Sequence, residues 1–356
     1  GKTRVITHRI AYLVQKLGIS PRRIMAVTFT NKAAGEMRNR LQAMLGYRAE
    51  ELTLGTFHAI FARILRIEGT NIGLDSQFAI YDDDVQINLI KQAMQLENVD
   101  PKRFAPRAIQ SAISAAKSQL VRVQDYAQRR NSYADEIIHR VYQRYQELLK
   151  RNKALDFDDL LLRTYYLFQE NPDVLAKYQN RYLHLLVDEF QDTNIVQYAL
   201  ARQLAGKYRN ICVVGDPDQS IYSWRHADIR NILSFEKDYP EARVIFLEQN
   251  YRSTQTILEA ASYVIAPNLQ RKPHKLWTQN EKGVPITIAE AYNEQEEAQM
   301  VAQEVERLLS EGQTKGRDIA IMYRTNAQSR ALEETFIRYG VAYKLVGATR
   351  FYERRE

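Results

Sequence analysis

Leu185-Leu186-Val187-Asp188-Glu189 is an apolar run that ends abruptly in two adjacent carboxylates. A segment apolar at every position is buried on both faces, so it reads as a strand of a parallel sheet covered by helices on both sides. The strand extends back to Tyr182. Ile24–Thr28, Leu52–Thr56, Ile211–Val214 and Val244–Leu247 read the same way and alternate with amphipathic stretches. That alternation predicts the doubly wound α/β class. At the end of such a strand, Asp188 is placed to hold a metal ion and Glu189 to orient and deprotonate water. Two carboxylates capping a following helix are the structural alternative.

Between about Tyr81 and Leu155 the strand signals vanish and helical periodicity takes over. The many basic residues there include Lys102, Arg103, Arg107, Lys117, Arg122, Arg129, Arg130, Arg140, Arg144, Lys150, Arg151 and Lys153. They fit either a solvated helix face or a nucleic-acid surface. Strands resume afterwards, so the segment reads as an insertion. A second α/β pattern follows Leu247, with helices near Thr254–Ala266 and Glu294–Ser310 and strands near Ile286–Ala289, Ile319–Tyr323 and Tyr343–Val346. The expected organisation is a first α/β domain over 1–80 and 156–247, a helical insertion over 81–155, and the first part of a second domain over 248–356. Its sheet is unfinished at Arg354-Arg355-Glu356.

The length of 356 residues favours two or three domains over one core. A net charge of +7 suits a polyanionic partner, although charge alone is shared by many proteins that bind none. The single cysteine, Cys212, lies in an apolar run and reads as a buried core thiol, which leaves no disulfide framework and no cysteine metal site. A reducing, cytoplasmic setting is expected, with no membrane span.

Gly1-Lys2-Thr3, followed by helical periodicity at Val5, Ile6, Ile10, Leu13, Val14 and Leu17, matches the last three positions of the phosphate-binding pattern G-x-x-x-x-G-K-S/T. In such loops backbone N–H groups and a helix N-terminus cradle phosphate, the Lys reaches the terminal phosphates and the hydroxyl binds Mg²⁺. Three residues are a weak signal. Val214-Gly215-Asp216-Pro217-Asp218-Gln219 follows another apolar strand, and an uncharged amide such as Gln219 can report a phosphate by gaining or losing a hydrogen bond. Tyr222-Ser223-Trp224-Arg225 sets two aromatics and a cation beside it. Stacking on aromatics ignores base identity.

Taken together, Asp188-Glu189-Phe190-Gln191-Asp192-Thr193 resembles the D-E-F/Y-Q-D-T box of the UvrD/Rep/PcrA family of superfamily 1 DNA helicases. Further boxes of that family are matched in order by Thr28-Phe29-Thr30-Asn31-Lys32, Thr56-Phe57-His58, Val214–Tyr222, Gln249-Asn250-Tyr251-Arg252-Ser253 and Tyr323-Arg324-Thr325-Asn326. The resemblance implies a RecA-like ATPase domain with a helical insertion, followed by an incomplete second RecA-like domain. It implies ATP and Mg²⁺ as cofactors and single-stranded DNA and single-strand/duplex junctions as partners. The activity implied is 3′ to 5′ translocation and unwinding in repair or replication restart. Gly1, Lys2, Thr3, Arg4 and Tyr251 would then contact ATP, with Thr3 and Asp188 on the metal. Glu189, Gln219 and Arg252 would be catalytic. Phe29, Thr30, Asn31, Thr56, His58, Phe157, Tyr222, Trp224, Arg225, Arg324 and Asn326 would line the strand path. Without the resemblance, Phe57 reads as core and Phe157 as the start of a helix capped by Asp156.

Two departures matter. His226 stands where the family usually has Gly, which puts the local backbone path in question. The chain also opens inside the loop pattern. A strand is therefore expected ahead of Gly1, and the isolated 356-residue chain is expected to bind ATP poorly and not to unwind DNA by itself. Two other functions compete with helicase activity: a DNA-dependent ATPase that remodels or removes bound proteins without processive unwinding, and an ATP-independent single-strand-binding scaffold.

Overall fold

The computed structural model describes residues 1–129, 132–269, 271, 275–312 and 314–346. It separates into two compact units, Gly1–Lys282 and Gly283–Glu356.

The first unit is organised by a four-stranded parallel sheet of β1 (Ile24–Thr28), β2 (Thr53–Thr56), β5 (His184–Val187) and β6 (Ile211–Val213), in the order β2-β1-β5-β6. Two shorter strands, β3 (Ala79–Tyr81) and β4 (Ala154–Asp156), pair in parallel elsewhere. The pairing register sets Met25 opposite Leu185 and Val27 opposite Val187, so these four side chains share one face. They pack with Phe57, Phe61, Leu160 and Leu200 of helices α3 (Phe57–Glu68), α7 (Phe157–Glu170) and α8 (Ile195–Ala205). Ile24, Ala26, Leu54 and Leu186 point to the other face, under Ile6 and Ile10 of α1 (Lys2–Gln15) and Met37 and Leu41 of α2 (Asn31–Leu45). Helices thus cover both faces of a parallel sheet, as its uniformly apolar strands require. β6 forms one edge, and Cys212 on it is half-buried, less enclosed than the core thiol expected from its apolar neighbours.

The segment between β3 and β4 is helical. Its core joins Ile90 and Met94 of α4 (Asp83–Leu96) to Ile113 of α5 (Pro106–Ser118) and to Val141, Tyr142 and Tyr145 of α6 (Tyr133–Arg151). Four of its basic residues are held by carboxylates at the surface: Arg140 and Arg144 on Glu97, Arg122 on Asp125 and Glu170, Lys153 on Asp75. Lys117 is the exception to a surface reading, because it is completely buried. Arg130 lies outside the described residues.

Four expected strands are not strands in the structure. Val244–Leu247 is exposed and belongs to no strand ladder among the described residues, where one isolated bridge nearby joins Gln249 to Trp277. Ile286–Ala289, Ile319–Tyr323 and Tyr343–Val346 of the second unit are irregular as well. An apolar run becomes a strand only where a neighbouring extended segment pairs with its N–H and C=O groups in a ladder, and among the described residues no ladder includes these runs. The second unit is built instead on α10 (Glu294–Ser310) and α11 (Ser329–Tyr339), whose Ala302, Val305 and Phe336 form a small core that Ile319, Ile321 and Tyr343 cover. The helix expected near Thr254–Ala266 is α9 (Gln255–Ile265). Arg354-Arg355-Glu356 lies outside the described residues. Among the described residues no helix is long and apolar enough to cross a membrane.

Candidate functional site

The chemistry gathers at the C-terminal ends of the sheet strands, where the backbone leaves the sheet and side chains reach open space. β5 ends at Val187, and Asp188 and Glu189 follow at once. α1 begins at Lys2, and its Nζ lies 2.7 Å from Oε2 of Glu189 and 3.0 Å from Oε1 of Gln219. Three residues separated by nearly two hundred positions therefore share one ammonium. Gln219 ends a short 3-10 turn, Pro217–Gln219, beyond β6, and its amide donates to Oδ2 of Asp216 at 2.6 Å. Glu189 adopts left-handed backbone angles (φ 48°, ψ 46°), which a residue with a side chain rarely holds unless its surroundings enforce it.

The electrostatics give the two carboxylates different characters. Burial pushes Asp188 above the usual carboxylate range, and a hydrogen bond from the Thr3 side chain opposes it. Burial would raise Glu189 too, but the hydrogen bonds from Lys2 and Gln191 and the charge of Lys2 outweigh it and hold the group below its ordinary value. Asp188 with the Thr3 hydroxyl is a hard-oxygen pair of the kind that binds Mg²⁺ together with phosphate oxygens. Lys2 sets an ammonium beside this pair, the kind of group that meets a terminal phosphate.

Beside this cluster runs a groove of about 980 Å³ between the strand ends and the helical insertion. Phe29, Thr30, Phe57, His58, Phe157, Asp192, Trp224, Arg225 and His226 line one wall, and Asp82, Asp83, Asp84, Arg107 and Ser114 the other. Phe57 is core as well as lining. Phe29 stacks on Tyr222 with ring centroids 4.9 Å apart, and Tyr222 meets Trp224 at 6.2 Å. The Arg225 guanidinium sits 4.6 Å over the Trp224 ring, which is 67% exposed. Phe157 is also exposed and meets His58 edge-on at 5.9 Å. Burial lowers His58 to about 4, so at neutral pH it is an uncharged donor and acceptor rather than a cation.

Several expected contact residues have local duties. Thr30 and Thr56 accept N–H groups of Ala33 and Ala59 and so cap α2 and α3, leaving each hydroxyl proton free to donate. Asp156 caps α7 through the Asp159 N–H at 2.7 Å, so Phe157 is both the start of a capped helix and an exposed ring. Asn31 opens α2 and is exposed, outside the groove lining. His226 has φ +64°, which explains why a glycine suits this position and why a side chain here is strained.

Other residues are not drawn into the phosphate cluster. Gly1 is exposed, and Arg4 reaches only His8, at 3.4 Å. Tyr251 is exposed and donates to Gln249, and the exposed side chain of Arg252 makes no ion pair among the described residues. Arg324 and Asn326 are exposed on the second unit.

Two residues to which the sequence reading assigns no role, one of them inside the acidic box, prove central. Gln191 is buried between the carboxylates, and Gly215 exists to fit it: a Cβ at Gly215 would lie 2.7 Å from Gln191 Oε1 and 2.8 Å from Ile232 Cδ1. Lys117 of α5 places its ammonium 2.5 Å from Asp156 and 2.9 Å from Asp159, beneath the α7 turn that carries Phe157. Its signal was spacing, since Ile109, Ile113 and Lys117 recur every four residues on one helix face.

Comparison with known proteins agrees with this arrangement. Residues 1–240 match the UvrD/REP helicase N-terminal domain and residues 245–356 the UvrD-like helicase C-terminal domain. Over all 356 residues the chain is 50% identical to the ATP-dependent DNA helicase PcrA of Bacillus subtilis and 51% identical to that of Staphylococcus aureus, covering 48% and 49% of their lengths. The chain thus spans about half the length of the curated relatives it matches. With its parallel sheet, its strand-end carboxylates and the family match over two thirds of its length, the chain belongs to the UvrD/REP helicase family.

Proposed function

We propose that this chain supplies the ATP-hydrolysing front of a DNA helicase that moves 3′ to 5′ on single-stranded DNA and engages single-strand/duplex junctions, in cytoplasmic repair or replication restart. The observation that carries the reading is the junction of two features on one sheet edge: Lys2, Glu189 and Gln219 within hydrogen-bond reach, and an aromatic groove immediately beside them. Lys2 would bind the terminal phosphates of ATP, and Thr3 and Asp188 would hold Mg²⁺, which when bound neutralises charge on the phosphate oxygens. Glu189 would orient the attacking water and take its proton, and Gln219 would sense the terminal phosphate. Arg252 would contribute a fixed positive charge on closure and Tyr251 a stacking surface for the base. In the groove, Phe29, Tyr222, Trp224 and Phe157 would stack on bases, with Thr30, His58 and Arg225 on the backbone. Arg324 and Asn326 would add contacts from the second unit. The domain plan that goes with this reading is a first RecA-like domain over 1–80 and 156–247, an insertion over 81–155 and part of a second RecA-like domain from 248.

The test is ATP hydrolysis by the full-length protein, with and without a thymidine oligonucleotide, in wild type and Glu189→Gln. Hydrolysis stimulated by the oligonucleotide and lowered by about 10²–10⁴-fold in the variant is expected. Equal, negligible rates in all four conditions would instead indicate a binding scaffold. Separation of a duplex with a 3′ single-stranded tail then distinguishes a helicase from an ATPase that only strips bound proteins.

A further inference from the structure

Gln191 occupies the wall between the phosphate cluster and the groove. It is 1% exposed and lies in the turn Phe190–Asp192. Its amide nitrogen donates to Oε2 of Glu189 at 3.0 Å and to Oδ2 of Asp192 at 2.9 Å. Its amide oxygen accepts the N–H of Asp216 at 3.0 Å, and its main-chain oxygen accepts the hydroxyl of Ser220 at 3.3 Å. Asp216 in turn holds Gln219. One side chain therefore touches the carboxylate next to Lys2, the turn that carries Gln219, and a carboxylate of the groove. Gly215 keeps it there by admitting no side chain of its own.

Asp192 is the outward end of this chain of bonds. It lines the groove and is 7% exposed; the Ile221 main-chain N–H lies close to its carboxylate, and its second oxygen, Oδ1, is buried with no hydrogen-bond partner among the described residues. A buried acceptor left unpaired is costly, so it is poised for a donor that the protein does not supply. Base amino and imino groups of a strand lying in the groove are donors of that kind.

We propose that Gln191 is a positioning residue that couples occupancy of the groove to Glu189. With the groove empty, Oε2 of Glu189 accepts from both Lys2 and Gln191, so both donors occupy the oxygen that would receive the water's proton. A strand that engages Asp192 draws the carboxylate and the Gln191 amide toward the groove, and Glu189 loses one of its two donors. Its lone pair becomes available for the proton of the attacking water. An amide suits this role because its two N–H groups serve two acceptors at once, which neither a carboxylate nor an aliphatic side chain can do.

The inference rests on the proposed ATPase reading, and a double-mutant cycle separates the two. ATP hydrolysis by the full-length protein is measured with and without a saturating thymidine oligonucleotide in wild type, Gln191→Met, Asp192→Asn and the double variant. Each single change is expected to lower the stimulation factor about tenfold, within the usual range of coupling between sites. The double variant is expected to fall no further than the weaker single, because both changes cut one connection. KM for ATP stays near the wild-type value, which general damage to the phosphate cluster would not allow. Undiminished stimulation in either single variant, or effects that multiply in the double, would overturn the coupling while leaving the ATPase reading intact. Absence of stimulation in the wild type would overturn both. Should Gln191→Met fail to fold, the near-isosteric Asp192→Asn carries the test: full stimulation in that variant refutes the role assigned to the relay.

Discussion

Replacing Lys117 by Met is expected to be the most damaging single change outside the phosphate cluster. The Lys117 ammonium is wholly buried, 2.5 Å from Asp156 and 2.9 Å from Asp159, and both carboxylates are buried with it. The Tyr145 hydroxyl adds a 2.9 Å hydrogen bond to Asp156. Burial and the charge of Asp159 push Asp156 up, whereas at Asp159 the charges of Lys117 and Arg163 and the hydrogen bonds from Lys117 and Gln146 outweigh burial and hold it below its ordinary value. Methionine has the volume of the stem but leaves two carboxylates facing each other without a cation. Breaking a buried pair in this way costs about 3–5 kcal/mol, or roughly 10²- to 10⁴-fold in the folded fraction. Lys117 itself is raised above its usual value, so its contribution is fully present below an unfolded pKa of about 10.4 and is lost only as the pH climbs through the folded value. The titration of Lys117 itself therefore contributes no slope to the deficit from about pH 6 to 9, and any rise across that window reports ionisation of the carboxylates left without it. Urea unfolding followed by circular dichroism across that range measures it. The triple variant Lys117→Met, Asp156→Asn, Asp159→Asn should regain most of the loss, since no charge remains buried. A single variant that loses less than about 1 kcal/mol, or a triple no better than the single, would refute the assignment of Lys117 as the cation that holds α5 to the start of α7.

Three further outcomes are expected. Trp224→Ala should weaken binding of a thymidine oligonucleotide, read by fluorescence anisotropy, by about 1–3 kcal/mol, since its exposed ring is the largest stacking surface in the groove; unchanged affinity would assign the ring to packing. His226→Gly should raise the unfolding midpoint through relief of about 1 kcal/mol of left-handed strain at φ +64°, and a lower midpoint would show that the ring's packing outweighs it. Asp192 is pushed up to about 6 by burial and by Glu189, so its ionisation disfavours the folded state as pH rises from about 4 to 6. Asp192→Asn should flatten the fall in stability across that window, and an unaltered slope would place the titration elsewhere.

The parts of the fold that were legible are those in which every residue of a run has the same environment. β1 is apolar from Ile24 to Val27 and buried throughout, because both its faces meet helices and both its edges meet strands. Val244–Leu247 is equally apolar but joins no strand ladder among the described residues, and composition does not encode the pairing strand. The same limit explains Lys117. Counted with eleven other basic residues of the insertion it resembles surface charge, and only its place in the four-residue repeat after Ile109 and Ile113 marks it as inward-facing. Asp188, Glu189, Lys2 and Gln219 were readable as chemistry because each follows a strand end or opens a helix, positions from which a side chain has one direction to go. Gln191 was not, since a neutral amide between two acids carries no signal until the loop after β6 is seen to close on it.

That closure also accounts for the spacing of the site. Gly215 can approach Gln191 only because β5 and β6 are neighbours in register, with Val187 opposite Val213, so the two loops leave the sheet side by side. The main chain reinforces the approach, for the N–H of Phe190 reaches the carbonyl of Val214 at 3.0 Å. A residue with a side chain at 215 would push the turn bearing Gln219 away from Lys2 and Glu189 by about the width of one methyl group. The sheet register, rather than any single loop, is what brings a lysine, a glutamate and a glutamine distant in sequence to one point beside the groove.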